Sequence, residues 1–314
     1  MIINTDPTDP RAITLVRDAL PIIDLAGLRD GDALARAKIV EELRMACLRN
    51  GFFYLVNHGV PAELMRRMVT EGRRFFAQPA EAKMAIEALH SSGLGYGRMG
   101  GKALHGGAGA PVKEEFYYSR EAVPGTSEEN RWPLDLPGFR EVMEDYIEHM
   151  HVLGEQMMAL LAETLGLPAD HFAAFCTAPL ANVRIARYLP EGAEAGAHSD
   201  FGALTFLLQD TMGGLQVFDR VTDGWIHAEP IQGSYIVNLA DLFEVFTNGL
   251  YPSTLHRVVH PAGTERISVP FFYTGAHDYV VQCLPQFRVE GQAPAFPPTT
   301  PAGTLVSGHE EQGF

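Results

Sequence analysis

The chain has 314 residues, and 24 Lys and Arg against 39 Asp and Glu give it a formal net charge of −15. Nucleic acids and anionic membranes recruit basic surfaces, so this balance argues against either one as the main partner. Arginine supplies 20 of the 24 basic residues. Because its planar fork binds carboxylates, one buried arginine could anchor an acidic metabolite.

Three widely spaced cysteines, Cys47, Cys176 and Cys283, fit a reducing compartment better than a disulfide framework. The first ten residues lack a basic region followed by an apolar run, so we expect no signal peptide. No apolar stretch approaches the roughly 18 residues that a membrane span needs. We therefore expect a cytoplasmic protein that binds neither nucleic acid nor membrane.

The first half of the chain predicts helices. Apolar residues spaced by three and four favour helices over 33–50 and from Pro61 onward, and the longest helix from about Gly138 to Leu165. Between them, residues 91–110 contain eight glycines, which suits either a mobile flap over a site or a long surface loop.

The second half predicts short strands at roughly ten-residue spacing, the pattern of a closed or double-sheet β architecture such as the jelly roll. The predicted strands are 183–188, 204–209, 215–219, 234–239, 256–259 and 267–273. After Pro285, the Pro- and Gly-rich tail predicts irregular structure.

One pattern in this half predicts a metal site. Residues two apart on a strand share a face, so His198 and Asp200 could bind one ion. The triplet alone is a weak signal, because His227/Glu229 and His309/Glu311 have the same spacing. The distinguishing feature is His256 downstream, since two imidazoles and one carboxylate make the facial triad of non-haem Fe(II) oxygenases.

A second pattern predicts an anion clamp. Arg266 lies ten residues after His256, and Arg266-Ile267-Ser268 is the only R-x-S sequence in the chain. On a strand, the guanidinium fork and the hydroxyl would face the same way and could bind a carboxylate together. Metal and clamp together predict a site for a small 2-oxo acid whose far end is also a carboxylate.

These residues stand within motifs that resemble the isopenicillin N synthase-like 2-oxoglutarate/Fe(II)-dependent dioxygenases over nearly the whole chain. The matching runs include Gly51-Phe52-Phe53-Tyr54-Leu55-Val56-Asn57-His58-Gly59-Val60, Asn238-Leu239-Ala240-Asp241, His256-Arg257-Val258 and Arg266-Ile267-Ser268-Val269. The resemblance implies a mainly β protein with a double-stranded β-helix (jelly roll) core flanked by helices, including one long backbone helix. It also implies a mostly helical N-terminal region at 1–135, with some strands in the core, and a catalytic jelly-roll domain with its long helix at 136–314.

The resemblance further implies that His198, Asp200 and His256 ligate Fe(II). Arg266 and Ser268 would bind the distal carboxylate of the co-substrate 2-oxoglutarate, with Tyr188 assisting. With O₂ as the oxidant, the expected reaction oxidises a small molecule, by default through hydroxylation, and releases succinate and CO₂. No catalytic residue is expected beyond the metal ligands.

The chain departs from the family pattern at two positions: Ala186 replaces a usual Asn, and Ala240 replaces a usual Gly. The first departure removes a polar group that could contact the co-substrate. Desaturation or ring closure stays open as the outcome, as do the substrate and the oligomeric state. Five residues are substrate-lining candidates by position alone: Tyr96, Arg98, Phe116, Tyr118 and Phe272. If Arg98 reaches the cavity, an anionic substrate is favoured.

Two alternatives remain at this point. The protein could be a 2-oxoglutarate-independent Fe(II) oxidase resembling isopenicillin N synthase, in which the R-x-S pair holds the substrate's own carboxylate. It could also be a non-catalytic jelly-roll binding protein, although an intact triad would then have no purpose.

Overall fold

The fold is described from a computed structural model of the chain. The structure describes residues 20–28, 31–88, 93–102, 108–120, 129–190, 194–259 and 263–304.

Twelve strands among these residues form two sheets. They are β1 (Ile22–Asp24), β2 (Phe52–Val56), β3 (Gly95–Lys102), β4 (Ala108–Ser119), β5 (Pro179–Tyr188), β6 (Glu194–His198), β7 (Leu204–Gln209), β8 (Leu215–Asp219), β9 (Gly224–His227), β10 (Tyr235–Leu239), β11 (His256–Val259) and β12 (Arg266–Ala276). The large sheet has the order β1-β2-β10-β7-β12-β5-β4-β3, and the small sheet has the order β6-β11-β8-β9. The pairing is antiparallel except between β1 and β2, and the two sheets form the jelly-roll core that the sequence predicted.

Five α-helices accompany the sheets in the described residues: α1 (Ala33–Arg49), α2 (Ala62–Phe76), α3 (Ala80–Met84), α4 (Phe139–Thr164) and α5 (Asp241–Thr247). Local chemistry sets their ends. Asp32 caps α1 by accepting a hydrogen bond from the Leu34 amide at 2.8 Å. Gly138 and Gly166 flank α4 with positive φ, a backbone conformation that glycine adopts without steric cost. None of the described helices combines the length and apolarity needed to cross a membrane.

The two faces of the large sheet have different neighbours. The outer face packs against the helices, where Phe116, Phe271 and Tyr273 join the buried face of α4 in the main core. The inner face turns toward the small sheet, where Phe52 and Ile236 meet apolar residues of β8 and β9. Since strand side chains alternate between faces, the pairing register assigns each large-sheet residue to the helices or to the space between the sheets.

The glycine-rich segment predicted as a flap or loop contains, in its described part, the edge strand β3 and the first residues of the neighbouring strand β4. Ladder hydrogen bonds join backbone groups, so a strand can form despite several glycines. One glycine is sterically required: Gly95 has φ +122°, and a Cβ there would lie 2.4 Å from the Ile86 carbonyl oxygen. The prediction of a long surface loop was therefore wrong for this part of the chain, whereas a flap over a site stays a prediction.

Candidate metal and co-substrate site

The residues predicted to bind metal come together between the two sheets. One potential ligand atom from each of His198, Asp200 and His256 lies within 4.8 Å of the others. The histidines are paired directly across β6 and β11, while Asp200 lies in the loop after β6. The prediction that His198 and Asp200 share one strand was wrong, because the strand ends at His198 and the loop brings the carboxylate back.

Backbone carbonyls fix the orientation of both imidazoles. Nδ1 of His198 lies 2.8 Å from the Gly196 oxygen, and Nδ1 of His256 lies 3.2 Å from the Thr254 oxygen. A carbonyl only accepts hydrogen bonds, so each Nδ1 carries the proton and each Nε2 presents a lone pair. Both Nε2 atoms face Asp200 Oδ1, at 4.0 Å for His198 and 3.7 Å for His256.

The opposite oxygen of Asp200 is held by two side-chain donors. Thr205 Oγ1 donates to Oδ2 at 2.6 Å, and Asn238 Nδ2 donates to it at 3.0 Å. Burial alone would raise the pKa of Asp200, but the two histidines and these hydrogen bonds lower it, so the group is a carboxylate. Oδ1 is thereby left for a ligand.

These side chains fit a divalent metal ion. Burial and the neighbouring His256 lower the pKa of His198 to about 4, so its imidazole is neutral, as metal ligation requires. Two imidazole nitrogens and one carboxylate oxygen lie close enough together to bind one ion. This donor set is the one that non-haem Fe(II) sites use.

Arg266 lies nearby at the start of β12 and is completely buried. Its Nε donates to the Gly213 carbonyl at 2.5 Å, whereas Nη1 and Nη2 have no hydrogen-bond partner among the described residues. Burial lowers the pKa of Arg266, but an arginine remains charged in proteins. A buried guanidinium with two unpartnered nitrogens can bind an anion.

The other predicted co-substrate residues surround Arg266. Ser268 follows two residues later on β12 and is buried, so the two side chains share the inner face as the sequence predicted. The Tyr188 ring, on β5 opposite Arg266, lies 4.9 Å from the guanidinium carbon. Ala186 pairs with Ser268 and packs with Tyr188 and Val258, which leaves the usual Asn position apolar.

The structure moves four of the five substrate-lining candidates away from the site. Phe116 and Tyr118 lie on the outer face, in the aromatic core with Trp132 and the helices. Tyr96 lies opposite Phe116 on the neighbouring strand, and its hydroxyl donates to Glu114 at 2.5 Å. These three predictions were wrong because the sequence alone did not show which face of each strand meets the helices.

The fourth misplaced candidate is Arg98. It pairs with the outer-face residue Glu114, is 47% exposed and lies 4.0 Å from Glu87. It therefore does not reach the space between the sheets. Phe272, by contrast, pairs with Thr205, the donor to Asp200, and so lies on the inner face.

The other His-x-acid pair among the described residues does not join the metal cluster. His227 and Glu229 lie 3.5 Å apart at the end of edge strand β9 and the residues after it. His309 and Glu311 lie outside the described residues. Within the part of the chain that the structure describes, only the His198 cluster brings three such ligands close enough together for one ion.

Sequence reasoning gave no role to Asn238 and Thr205, or to Arg184, which lies on β5 on the same face as Tyr188. Side chains two residues apart on a strand face the same way, so Arg184 was predictable as a neighbour of Ala186 and Tyr188 on one face. Asn238 belongs to the family-like run Asn238-Leu239-Ala240-Asp241, but the sequence offered no reason to assign it a role. No sequence pattern indicated Thr205, because its hydrogen bond to Asp200 depends on the tertiary structure.

Two family models match the chain. One, described as the N-terminal region of the non-haem dioxygenases in morphine synthesis, covers residues 20–135. The other, described as the 2OG-Fe(II) oxygenase superfamily, covers residues 181–275 and includes all three triad residues. A curated relative, the 2-oxoglutarate-Fe(II) type oxidoreductase hxnY of Emericella nidulans, is 35% identical over 94% of this chain and 90% of its own length. The chain belongs to the 2-oxoglutarate- and Fe(II)-dependent oxygenases.

Solved structures agree with this assignment. A full-length protein of Neurospora crassa, solved in complex with α-ketoglutarate, superposes with a TM-score of 0.83 at 25% identity over 94% of this chain and 98% of its own. JOX2, solved with 2OG, Fe and JA, reaches a TM-score of 0.76 at 34% identity over 90% of this chain and 82% of its own. The oxygenase is therefore an oxidoreductase that uses Fe(II), 2-oxoglutarate and O₂. The comparisons support neither a 2-oxoglutarate-independent oxidase nor a non-catalytic binding protein.

Proposed function

We propose that His198, Asp200 and His256 hold the Fe(II) of this oxygenase, and that Arg266, Ser268 and Tyr188 bind 2-oxoglutarate, in a reaction that hydroxylates a small molecule. The observation that carries the proposal is the complete burial of Arg266 with two unpartnered Nη nitrogens among the described residues, on the sheet face that also carries Thr205 and Asn238, the two donors to Asp200. When bound, the iron supplies the oxidation of the substrate C–H bond by O₂, coupled to the breakdown of 2-oxoglutarate to succinate and CO₂.

The residues of the chain act by binding and orientation. The carbonyls at Gly196 and Thr254 keep both Nε2 lone pairs directed at the metal position, and Thr205 and Asn238 hold the carboxylate of Asp200. Three protein ligands leave coordination positions open for a chelating 2-oxo acid and for O₂. Arg266 fixes the far end of the co-substrate and so determines which way its oxo-acid end points.

The ring of Tyr188 supports this clamp. Arg266 lies over the ring at 4.9 Å, and Lys113 lies over it at 5.3 Å. Burial would raise the pKa of Tyr188, but Lys113 and Arg266 lower it. The two cations make this end of the cavity attractive to a dianion, which offsets the repulsion from the net charge of −15.

We also propose the division into a mostly helical region at 1–135 and a catalytic region at 136–314, and a cytoplasmic location. Supporting the division, the two matched family regions lie on either side of residue 136. The eight-stranded sheet nevertheless includes β1–β4 from the first region, so the two regions share one sheet. Supporting the location, all three cysteines are free thiols.

The test is anaerobic absorption spectroscopy of the purified oxygenase. We expect that Fe(II) followed by 2-oxoglutarate produces a visible metal-to-ligand charge-transfer band. Arg266→Gln should weaken 2-oxoglutarate binding by about 100-fold, because charge-assisted hydrogen bonds in a buried site are lost. Arg98→Gln, at an exposed arginine on the other face, serves as the control and should leave the titration unchanged.

The readouts separate the parts of the proposal. A wild-type protein without the band would disprove the assigned iron and co-substrate site. A band that titrates normally in Arg266→Gln would disprove the clamp alone. Oxygen uptake with stoichiometric succinate release establishes turnover, and mass spectrometry of the product distinguishes hydroxylation from desaturation or ring closure.

A further inference from the structure

Arg184 is a second arginine on the inner face, and neither the proposed iron site nor the 2-oxoglutarate clamp uses it. It lies on β5, where the pairing register places it opposite Pro270 of β12. Pro270 stands between Ser268 and Phe272, and all three residues are on the face that is turned toward the small sheet. Its side chain is 24% exposed, while its neighbours Val183 and Ile185 are fully buried against the helices. The exposed part of Arg184 therefore faces the space between the sheets.

The contacts of Arg184 leave one edge of the guanidinium available. Nη1 donates to the Tyr117 hydroxyl at 3.1 Å and lies 3.6 Å from Glu115 Oε1. Nε is buried and has no hydrogen-bond partner among the described residues. Both polar contacts use Nη1, so the Nε–Nη2 edge remains, and this edge can bind a carboxylate with two parallel hydrogen bonds.

Aromatic rings hold this guanidinium in place. The Phe272 ring lies 5.2 Å from its central carbon, and the Tyr117 ring lies 5.8 Å from it. Rings beside the guanidinium restrict its rotation and offer apolar surface next to a charged group. Two residues before Arg184 on the same face, Asn182 has a buried side-chain oxygen without a partner in the described structure.

Arg184 shares its acidic partner, Glu115, with a second cation. Lys113, Arg184 and Arg266 are positive, and Glu115 is the acid that the first two share. Asp210 approaches Arg266 from the side but already pairs with Arg73 at 2.9 Å. One carboxylate between two cations offsets only one of their charges, so Glu115 alone does not neutralise both Lys113 and Arg184. Leaving a largely buried cation unpaired is costly.

We infer that Arg184 binds a carboxylate of the primary substrate, so that this oxygenase acts on a small organic acid. The inference rests on the proposed function, because it places the substrate beside the proposed iron and co-substrate. The guanidinium of Arg184 lies 5.2 Å from the Phe272 ring, and Phe272 pairs with Thr205, the residue that donates to Asp200. A substrate held by Arg184 would thus lie next to the metal position, with its apolar part against Phe272.

The test compares acids with their neutral amides. The oxygenase is loaded anaerobically with Fe(II) and 2-oxoglutarate, and calorimetry measures binding of small aliphatic and aromatic monocarboxylates, each paired with its primary amide, such as benzoate with benzamide. We expect at least one acid to bind about 10- to 100-fold more tightly than its amide, the value of a charge-assisted fork. Arg184→Gln should abolish this preference and leave 2-oxoglutarate affinity unchanged.

Two further variants serve as controls for loss of folding and for nonspecific effects of removing an arginine. Arg184→Lys keeps a cation beside Glu115, so it preserves the fold while losing the fork, and we expect a reduced preference for acids. Arg98→Gln removes an arginine from the other face and should behave as wild type.

Three results would overturn the inference: amides that bind as well as acids, a preference that survives Arg184→Gln, or no acid that binds. Weakened 2-oxoglutarate binding in Arg184→Gln, with acid discrimination intact, would assign Arg184 to the co-substrate instead. Absence of the charge-transfer band in wild type would be recognised separately, as failure of the proposed function.

Discussion

Asn238 donates a hydrogen bond to Asp200 through Nδ2 and Oδ2 at 3.0 Å. The donor lies on β10 of the large sheet, and the acceptor lies in the loop after β6 of the small sheet. The bond therefore connects the two sheets at the proposed metal position. It also decides which carboxylate oxygen faces the histidines, because Oδ2 is occupied and Oδ1 is left.

Replacing Asn238 should weaken iron binding without removing a ligand. In Asn238→Ala, Asp200 loses one of two donors that orient it, and we expect Fe(II) affinity to fall about 10- to 100-fold, the usual effect of losing a partner of a metal ligand. Competition with a chromophoric chelator measures the affinity. Gln209→Ala, at a residue of neighbouring strand β7 whose amide bonds the Ala228 carbonyl instead, is the control. Equal affinities in both variants would show that Asn238 does not position the ligand.

Ser268→Ala should weaken 2-oxoglutarate binding about tenfold, because one hydrogen bond to a charged group is lost while Arg266 remains. The dissociation constant can be read from the anaerobic charge-transfer titration. Ser234→Ala removes another buried hydroxyl, which donates to the Ile231 carbonyl outside the site, and should have no effect on binding. A Ser268→Ala protein with wild-type affinity would remove Ser268 from the clamp.

Gly275→Ala should destabilise the fold by about 2–4 kcal/mol, from backbone strain and overpacking together. Gly275 has φ +105° at an irregularity in β12, and an added Cβ would lie 2.0 Å from Cζ of Phe175. Differential scanning calorimetry measures the loss as a lower Tm. Gly224→Ala is a matched control, since its Cβ would meet nothing closer than 3.7 Å. If both variants melted together, the close approach to Phe175 would not constrain the fold.

His151 should make the metal-free protein less stable in mild acid. Burial against Phe271 and Tyr273 lowers its pKa from 6.5 to about 4, and neither ring nitrogen has a partner in the described residues. As the pH falls below 6.5, His151 becomes protonated in the unfolded chain but stays neutral in the folded chain. The free energy of unfolding therefore drops until pH 4, by about 2 kcal/mol between pH 7 and pH 5.

His151→Leu should remove this part of the pH dependence. Urea unfolding at pH 7 and pH 5 measures the difference for wild type and variant. His149→Gln, at an exposed histidine of the same helix, should retain the wild-type slope. An unchanged slope in His151→Leu would mean that other groups cause the acid sensitivity.

Sequence predicted best those elements whose signal is local. Strand β7 matches the strand predicted at 204–209, and α4 closely matches the helix predicted from about Gly138 to Leu165. Both were predictable because the spacing of buried apolar residues along the chain follows the period of the element. Strand β3 was missed, since a glycine-rich edge strand has no alternating apolar pattern, and so was its neighbour β4. Gly95 there allows a close approach to the backbone of Ile86, which no local pattern reveals.

The residues of the site likewise fall into those that the sequence predicted and those that only the structure revealed. By itself, the sequence predicted that His198, Asp200 and His256 lie together and that Arg266 and Ser268 share a strand face, because these residue types stand at motif spacing, and the structure has both arrangements. Only the tertiary structure decided that Arg184, and not Arg98, faces the space between the sheets. The physical reason is that the two faces of a strand are equivalent until helices cover one of them. That choice depends on contacts between residues far apart in the chain.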